Sequence, residues 1–310
     1  MTRTVYIALQ QFAEQDERPL QLLHESGFAI QRNVLGRRLR KEEMAQHLRE
    51  ADAVLAGVEP YDAEILQALP RLRCISRCGI GTDSIDLKTA QQRKVAVLTT
   101  AEEVVQPVAE MTMAMLFALA RNFPLHTDDF RNNRWKKRTG HLLSEWTIGL
   151  VGFGRIGREV ERCLRPFHPR ILVTDPALKG NEVPPTVVGC DLATLLKESD
   201  VVSLHASRRP EEGPLLGGPE LERMKPGSRL INTARGYLVD EAALLEALKS
   251  GHLSGTALDV YSEEPYSGPL CRLPQVLLTP HVATLTKASR AAMELRSAQN
   301  VVRFFSEQNR

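Results

Sequence analysis

Cysteine is scarce in this sequence and never paired. Five cysteines in 310 residues, with no Cys-x-x-Cys, make neither a disulfide framework nor a zinc site, so a reducing compartment and no metal are expected. Cys74 and Cys78 have no histidine near them and read as buried thiols. Long apolar runs are missing too: no stretch approaches the ~18 residues of a membrane span. The N-terminus, Met1-Thr-Arg-Thr-Val-Tyr-Ile, enters a strand pattern directly, without the apolar region of a signal peptide. A soluble, cytoplasmic protein with no membrane partner is the expectation. Nor is charge of one sign in excess. Lys and Arg number 40 against 38 Asp and Glu, a net charge of +2, which leaves nucleic-acid binding without support from bulk charge. The one dense basic run, Arg131-Asn-Asn-Arg-Trp-Lys-Lys-Arg138, reads first as a solvated face.

What the chain does have is alternation. Strand and helix patterns follow one another along nearly its whole length, the signature of parallel α/β units. In the first third, strand patterns cover Thr4–Leu9, Ala53–Ala56, Arg73–Ser76 and Val95–Leu98, with helix patterns at Pro19–Ser26, Lys41–Glu50, Asp62–Ala68 and Asp86–Arg93. These make a small doubly wound domain. A helix over Glu103–Arg121 follows, apolar nearly all round, which implies burial between domains or subunits. Strand patterns resume at Thr147 and continue through Val201–His205, Arg229–Thr233, Ser254–Asp259 and Val276–Thr279, with helices at Pro219–Met224 and Asp240–Lys249. A last helix pattern runs through Val301 and Val302. The length calls for two cores. Because the last segment lies beyond the second sheet, the first domain is read as split: residues 1–100 and 283–310 form one domain and 101–282 the other. Ligand is expected in the cleft, at the carboxyl ends of both sheets.

The second domain opens on Thr147-Ile-Gly-Leu-Val-Gly152-Phe-Gly154-Arg-Ile-Gly157-Arg, and Asp175 closes the next apolar run, Ile171-Leu-Val-Thr. A glycine fingerprint between strand and helix, with a carboxylate about 20 residues on, is built to hold a dinucleotide. Gly152 permits the tight turn, Gly154 lets backbone approach the pyrophosphate, and Gly157 brings the helix close to the sheet. Asp175 would accept from the adenosine ribose hydroxyls and repel a 2′-phosphate, which selects NAD over NADP. Three further segments fall just past predicted strands: Ile231-Asn-Thr-Ala-Arg235-Gly, Ala257-Leu-Asp-Val-Tyr-Ser-Glu-Glu264-Pro and Leu277-Leu-Thr-Pro-His281. Arginine can clamp a carboxylate in a bidentate way, histidine titrates near neutral pH, and a neighbouring carboxylate fixes its tautomer. Such a set suits a keto acid.

Together, from about Leu72 to Ala283, these segments resemble the D-isomer-specific 2-hydroxyacid dehydrogenase family. The likeness is closest to short phosphoglycerate dehydrogenase-like members, through Ile75-Ser-Arg77-Cys-Gly and Arg134-Trp-Lys-Lys-Arg138. The resemblance implies an α/β protein of two doubly wound parallel-sheet domains, a flavodoxin-like substrate domain and a Rossmann coenzyme domain, assembled as a homodimer. It implies an NAD-dependent oxidoreductase that moves hydride between nicotinamide and C2 of a D-2-hydroxy acid or 2-keto acid, 3-phosphoglycerate among the candidates. Residue by residue, it makes Arg235 the substrate-binding arginine, His281 the acid and base, and Glu264, directly before proline, its partner. Arg77 and the loop Gly79-Ile80-Gly81 are implied on the substrate. Arg155, Ile156, His205, Thr233, Ala234 and Asp259 join Asp175 and the fingerprint glycines on the coenzyme. Asp259 would meet the nicotinamide carboxamide, although a loop-capping carboxylate is an equal reading of that residue.

The chain departs from the family in places. Where His-x-Pro-Leu-Thr is common it has His205-Ala-Ser207-Arg208-Arg209-Pro, and Pro107 stands where a small polar residue is usual. The phosphoglycerate branch carries an arginine in the loop after the third strand. Here Ala56-Gly-Val-Glu59-Pro supplies a glutamate, which would repel a phosphate dianion by about 1–4 kcal/mol at ~4 Å. Glyoxylate or hydroxypyruvate reduction is therefore an alternative. Another is a non-catalytic NADH-sensing protein of the co-repressor type, which keeps much of the triad and needs an exposed apolar patch for its partner peptide. A short-chain dehydrogenase fails, because Tyr237, Tyr261 and Tyr266 are followed four residues on by Glu241, Pro265 and Leu270, never by lysine.

Overall fold

The computed structural model describes residues 2–178, 183–207 and 210–308. Arg208 and Arg209, singled out above, lie outside the described residues. The chain divides into two compact units, Met1–Val104 with Thr284–Arg310, and Val105–Ala283.

In the first unit β1 (Thr4–Ile7), α1 (Arg18–Glu25), β2 (Ala29–Arg32), α2 (Lys41–His47), β3 (Ala53–Ala56), α3 (Ala63–Ala68), β4 (Cys74–Arg77), α4 (Leu87–Gln92) and β5 (Ala96–Thr99) alternate. The five strands are parallel in the order β2-β1-β3-β4-β5, the flavodoxin-like arrangement. β3 reads Ala-Val-Leu-Ala and is buried throughout, as a central parallel strand covered on both faces must be. Its alternate residues feed two cores, Val54 toward Tyr6, Met44 and Ile75, and Leu55 toward Val5, Ile7 and Phe12. Asp62 and Asp86 start α3 and α4 by accepting from Ile65 N and Thr89 N. The sequence pattern misses β2, an edge strand that ends on Gln31 and Arg32 and is mostly exposed, so no apolar run marks it.

The second unit comprises α5 (Val105–Ala120), α6 (Phe123–Arg131), β6 (Thr147–Val151), α7 (Arg155–Leu164), β7 (Arg170–Thr174), β8 (Val188–Gly189), α8 (Leu192–Glu198), β9 (Val201–Leu204), α9 (Gly218–Arg223), β10 (Arg229–Asn232), α10 (Glu241–Lys249), β11 (Gly255–Leu258) and β12 (Val276–Leu278). Among the described residues its seven strands run β12-β11-β10-β9-β6-β7-β8. Strand order reverses between β6 and β9, the switch point at which such sheets bind ligands. The apolar α5 lies within this unit's own core, where Ala109, Met115 and Leu116 pack with Ile148, Leu150 and Ile231. After β12 the chain returns as α11 (Lys287–Glu307) to the first unit, where Ala298, Val301 and Phe305 close the Val5–Ile7 core. Asn300 there donates to Thr99 O at 3.1 Å. Among the described residues no helix is long and apolar enough to cross a membrane, and no cluster of His, Cys, Asp and Glu is poised for a metal.

Candidate active site

At the switch point the three fingerprint glycines answer to different neighbours. Gly152 has φ +93°, and a Cβ there would stand 2.5 Å from the carbonyl carbon of His205. A Cβ on Gly157 would collide with Gly152 O, so bare glycine lets α7 close onto the turn. Gly154 is unlike both: nothing lies within 4 Å of where its Cβ would stand. The first helical hydrogen bond runs from Arg158 N to Gly154 O, so the amides of Arg155, Ile156 and Gly157 precede the ladder at the helix start, while Gly152 N is taken by Thr174 O. Asp175, after β7, is fixed beside this turn by Phe153 N on Oδ2 at 2.7 Å and Ala177 N on Oδ1 at 2.8 Å.

Two groups near the turn have hydrogen-bonding capacity that the described residues do not use. His205, after β9, lies 3.0 Å from Ser203 Oγ through Nε2, while its buried Nδ1 has no partner among the described residues. Burial pulls its pKa down to about 4, so the ring is neutral. Thr112 on α5 donates its one hydroxyl proton to Val108 O, so in the 3.1 Å contact of Thr112 Oγ1 with Thr233 Oγ1 the proton comes from Thr233. Thr233 Oγ1 is thereby left as an acceptor only. The next residue, Ala234, donates its amide to Asn232 Oδ1 at 3.0 Å. Open space at Gly154, an orphaned ring nitrogen and a fixed acceptor fit a bound dinucleotide.

Beyond β10, β11 and β12 three side chains converge. His281 Nδ1 lies 2.9 Å from Glu264 Oε2 and 3.1 Å from Oε1. Burial pushes the Glu264 carboxyl pKa up, but the His281 hydrogen bond and charge, the Tyr261 amide and the Arg235 charge outweigh it and hold the value below the usual range. With Nδ1 engaged, Nε2 is the nitrogen that half-exposed His281 can offer outward. The His281 backbone is left-handed, at φ +53°. The fully buried Asp259 holds it there, accepting from Thr279 Oγ1 at 2.6 Å and from Val282 N and Ala283 N at 2.9 Å each. That is the loop-capping geometry for Asp259. Arg235 donates Nη1 to Ala234 O at 2.7 Å, and Asn232 Nδ2 donates to Arg235 O at 2.8 Å. Sequence reasoning missed Thr112 and Asn232 as supports.

Arg155 and Ile156 open α7 in the second unit, whereas Arg77, Gly79, Ile80, Gly81 and Glu59 lie in the first. Arg77, at the end of β4, donates Nε to Gly81 O at 3.1 Å and Nη1 to Cys78 O, so its guanidinium folds onto its own loop. Gly79, at φ +146°, gives its amide to Arg77 O, and its carbonyl accepts from Thr100 N. The Ile80 and Gly81 amides make no backbone hydrogen bond among the described residues. Glu59 is 3% exposed and accepts from Gly57 N at 2.8 Å, so its carboxylate turns inward.

A protein-family model, "D-isomer specific 2-hydroxyacid dehydrogenase, NAD binding domain", matches residues 113–283. The chain belongs to that family. It is 37% identical over 273 residues to a glyoxylate reductase of Thermofilum pendens, an alignment covering 84% of this chain and 80% of the relative. A D-3-phosphoglycerate dehydrogenase of Archaeoglobus fulgidus is 35% identical over 268 residues, covering 84% of this chain and 51% of the relative, so the chain spans about half that relative's length. Among solved structures, an NAD-dependent formate dehydrogenase from Staphylococcus aureus in complex with NAD is 27% identical with a TM-score of 0.86, covering 99% of this chain and 96% of that one. The family's two parallel α/β sheets are those described above.

Proposed function

We propose that this chain is an NAD-dependent oxidoreductase of D-2-hydroxy acids that reduces small 2-keto acids such as glyoxylate and hydroxypyruvate. The observation that carries the reading is the His281–Glu264 pair, 2.9 Å apart, on loops of the unit that matches an NAD binding domain. Bound NADH would supply hydride to C2 of the keto acid. Arg235 holds the substrate carboxylate through its planar fork. His281, its Nδ1 held by Glu264, gives a proton from Nε2 to the carbonyl oxygen and recovers it in the reverse direction. On the coenzyme, Gly152, Gly154, Arg155, Ile156 and Gly157 face the pyrophosphate, and Asp175 favours NAD over NADP. His205, Thr233 and Ala234 complete that side.

An unphosphorylated substrate is favoured because two cations that a phosphate would draw on, Arg77 and Arg138, are engaged. Arg77 braces its loop, and Arg138 shares Asp129 with Arg134 at 2.8 Å and 2.9 Å. A phosphorylated substrate keeps one supporting observation: exposed Arg38 reaches Val58 O in the loop after β3. A homodimer is part of the reading. Phe130, Trp135 and Leu142 stand 61%, 81% and 64% exposed in one segment, apolar surface that a second copy would cover. Light scattering on a sizing column checks it. Five free cysteines support a reducing, cytoplasmic setting.

The test is turnover of glyoxylate, hydroxypyruvate and 3-phosphohydroxypyruvate with NADH and NADPH, in wild type and His281→Ala. Loss of about 10²–10⁴-fold in kcat is expected for the variant. Near-normal turnover by His281→Ala would reject the mechanism, and wild type that binds NADH but turns over none of the three keto acids would favour the NADH-sensing alternative.

A further inference from the structure

The loops after β10, β11 and β12 carry Arg235, Glu264 and His281, and one residue meets all three. Tyr261 donates its amide to Glu264 Oε1 at 3.2 Å. Its hydroxyl lies 2.9 Å from Thr279 O and 3.2 Å from Leu258 O, joining the end of β11 to the loop that carries His281. Its carbonyl occupies the space a Cβ on Gly236 would need, so the backbone just after Arg235 rests on Tyr261. The residue is 8% exposed, and its ring stacks on Tyr266 with centroids 4.6 Å apart and planes 14° from parallel. The side chain is held and cannot swing aside. Burial, reinforced by the charge of Asp259, pushes the phenol pKa up, which keeps the hydroxyl protonated and donating.

We infer that Tyr261 is a positioning residue for the catalytic pair, its hydroxyl fixing the His281 loop against the loop that carries Glu264. The inference rests on the catalytic reading given above. Tyr261 acts through other residues: its amide aims the Glu264 carboxylate, and its hydroxyl proton is shared by two carbonyls that have to sit side by side to receive it. A phenylalanine would keep the ring, the stack and the amide while dropping that link. Each carbonyl would then lose one of its partners, and the His281 loop would be tied by Asp259 and by the backbone bond from Thr279 N to Leu258 O.

Tyr261→Phe is the test. Its kcat with a 2-keto acid should fall about three- to tenfold, the scale of one lost hydrogen bond felt at the transition state, with KM and the NADH dissociation constant within about twofold of wild type. The pH profile of kcat should move in the same direction as in Glu264→Gln, which a purely structural loss would not do. A substrate-free measurement separates this inference from the reading on which it rests. In spectra of histidine-labelled protein, the His281 Nδ1 resonance, which reports the hydrogen bond to Glu264, should move from its wild-type position in the direction that Glu264→Gln moves it. That displacement is visible even in a chain that turns over no keto acid. Tyr261→Leu, which removes the ring too, should show the same displacement with a larger loss of Tm. Spectra of Tyr261→Phe and wild type that superimpose at His281, whatever happens to Tm, would overturn the inference.

Discussion

Glu264 receives both its neighbours on one carboxylate: the imidazole of His281, 2.9 Å from Oε2, and the amide of Tyr261, 3.2 Å from Oε1. The folded structure thus favours the ionised carboxyl over the protonated one, and Glu264 titrates below its ordinary value. A depressed carboxyl contributes stability that is present above its unfolded pKa, near 4.3, and is lost as pH falls through the lower folded value. The Tm difference between wild type and Glu264→Gln should therefore favour wild type at pH 6 and shrink steadily below about pH 4. Melting curves from pH 3 to 7 decide it. A gap that stays constant across that range would mean that ionised Glu264 adds nothing to the fold.

Asp259 is expected to matter to the His281 loop before it matters to affinity. Asparagine there keeps one acceptor oxygen and turns an NH2 toward a backbone N–H, so at least one of the bonds to Thr279, Val282 and Ala283 is lost. A buried donor stripped of a charged partner costs about 1–3 kcal/mol. Asp259→Asn should unfold at a clearly lower denaturant midpoint and lose kcat, because His281 at φ +53° depends on that cage. Unchanged stability with weakened NADH binding would give the residue to the carboxamide instead.

The parts of this fold that read from sequence are those whose pattern is set by burial on both faces. Ala53–Ala56 is a continuous apolar strand, and Val201–Leu204 is broken only by the buried Ser203, because helices cover both sides of a parallel sheet. Ala29–Arg32 was illegible for the opposite reason, since an edge strand in water has no apolar period to display. The proposed triad stands out in the sequence because each member follows a strand end. What stayed hidden was direction. No pattern says that Arg77 folds back on Cys78 and Gly81, that Glu59 turns inward to Gly57, or that Thr233 gives its proton to Thr112. Those outcomes are set by which acceptor lies within reach once the backbone has closed.

Arg77 offers a test of that hidden direction. If its guanidinium holds the Cys78–Gly81 loop, Arg77→Ala should raise KM severalfold for phosphorylated and unphosphorylated keto acids alike. A side chain that binds phosphate would instead raise it for 3-phosphohydroxypyruvate only. The ratio of kcat/KM for 3-phosphohydroxypyruvate to that for hydroxypyruvate, in wild type and variant, distinguishes the two. A wild-type ratio well above one that collapses in Arg77→Ala would return the phosphate to this residue.

The fingerprint glycines allow coenzyme binding to be separated from packing. Gly154 has φ −76° and ψ −156°, a conformation open to any residue, and its Cβ would meet nothing of the protein. Alanine there should leave the Tm of the coenzyme-free protein within about a degree, since surface changes away from packing stay within ±0.5 kcal/mol. The same methyl would project where backbone has to approach a pyrophosphate, so the NADH dissociation constant should rise about tenfold or more, the equivalent of 1.4 kcal/mol. Gly157→Ala should behave differently. Its methyl would drive into Gly152 O, and overpacking of that kind costs about 1–3 kcal/mol whether or not coenzyme is present. Thermal unfolding of both variants with and without NADH checks the pair of expectations. If Gly154→Ala binds NADH as tightly as wild type, the open space at residue 154 is not where the pyrophosphate lies.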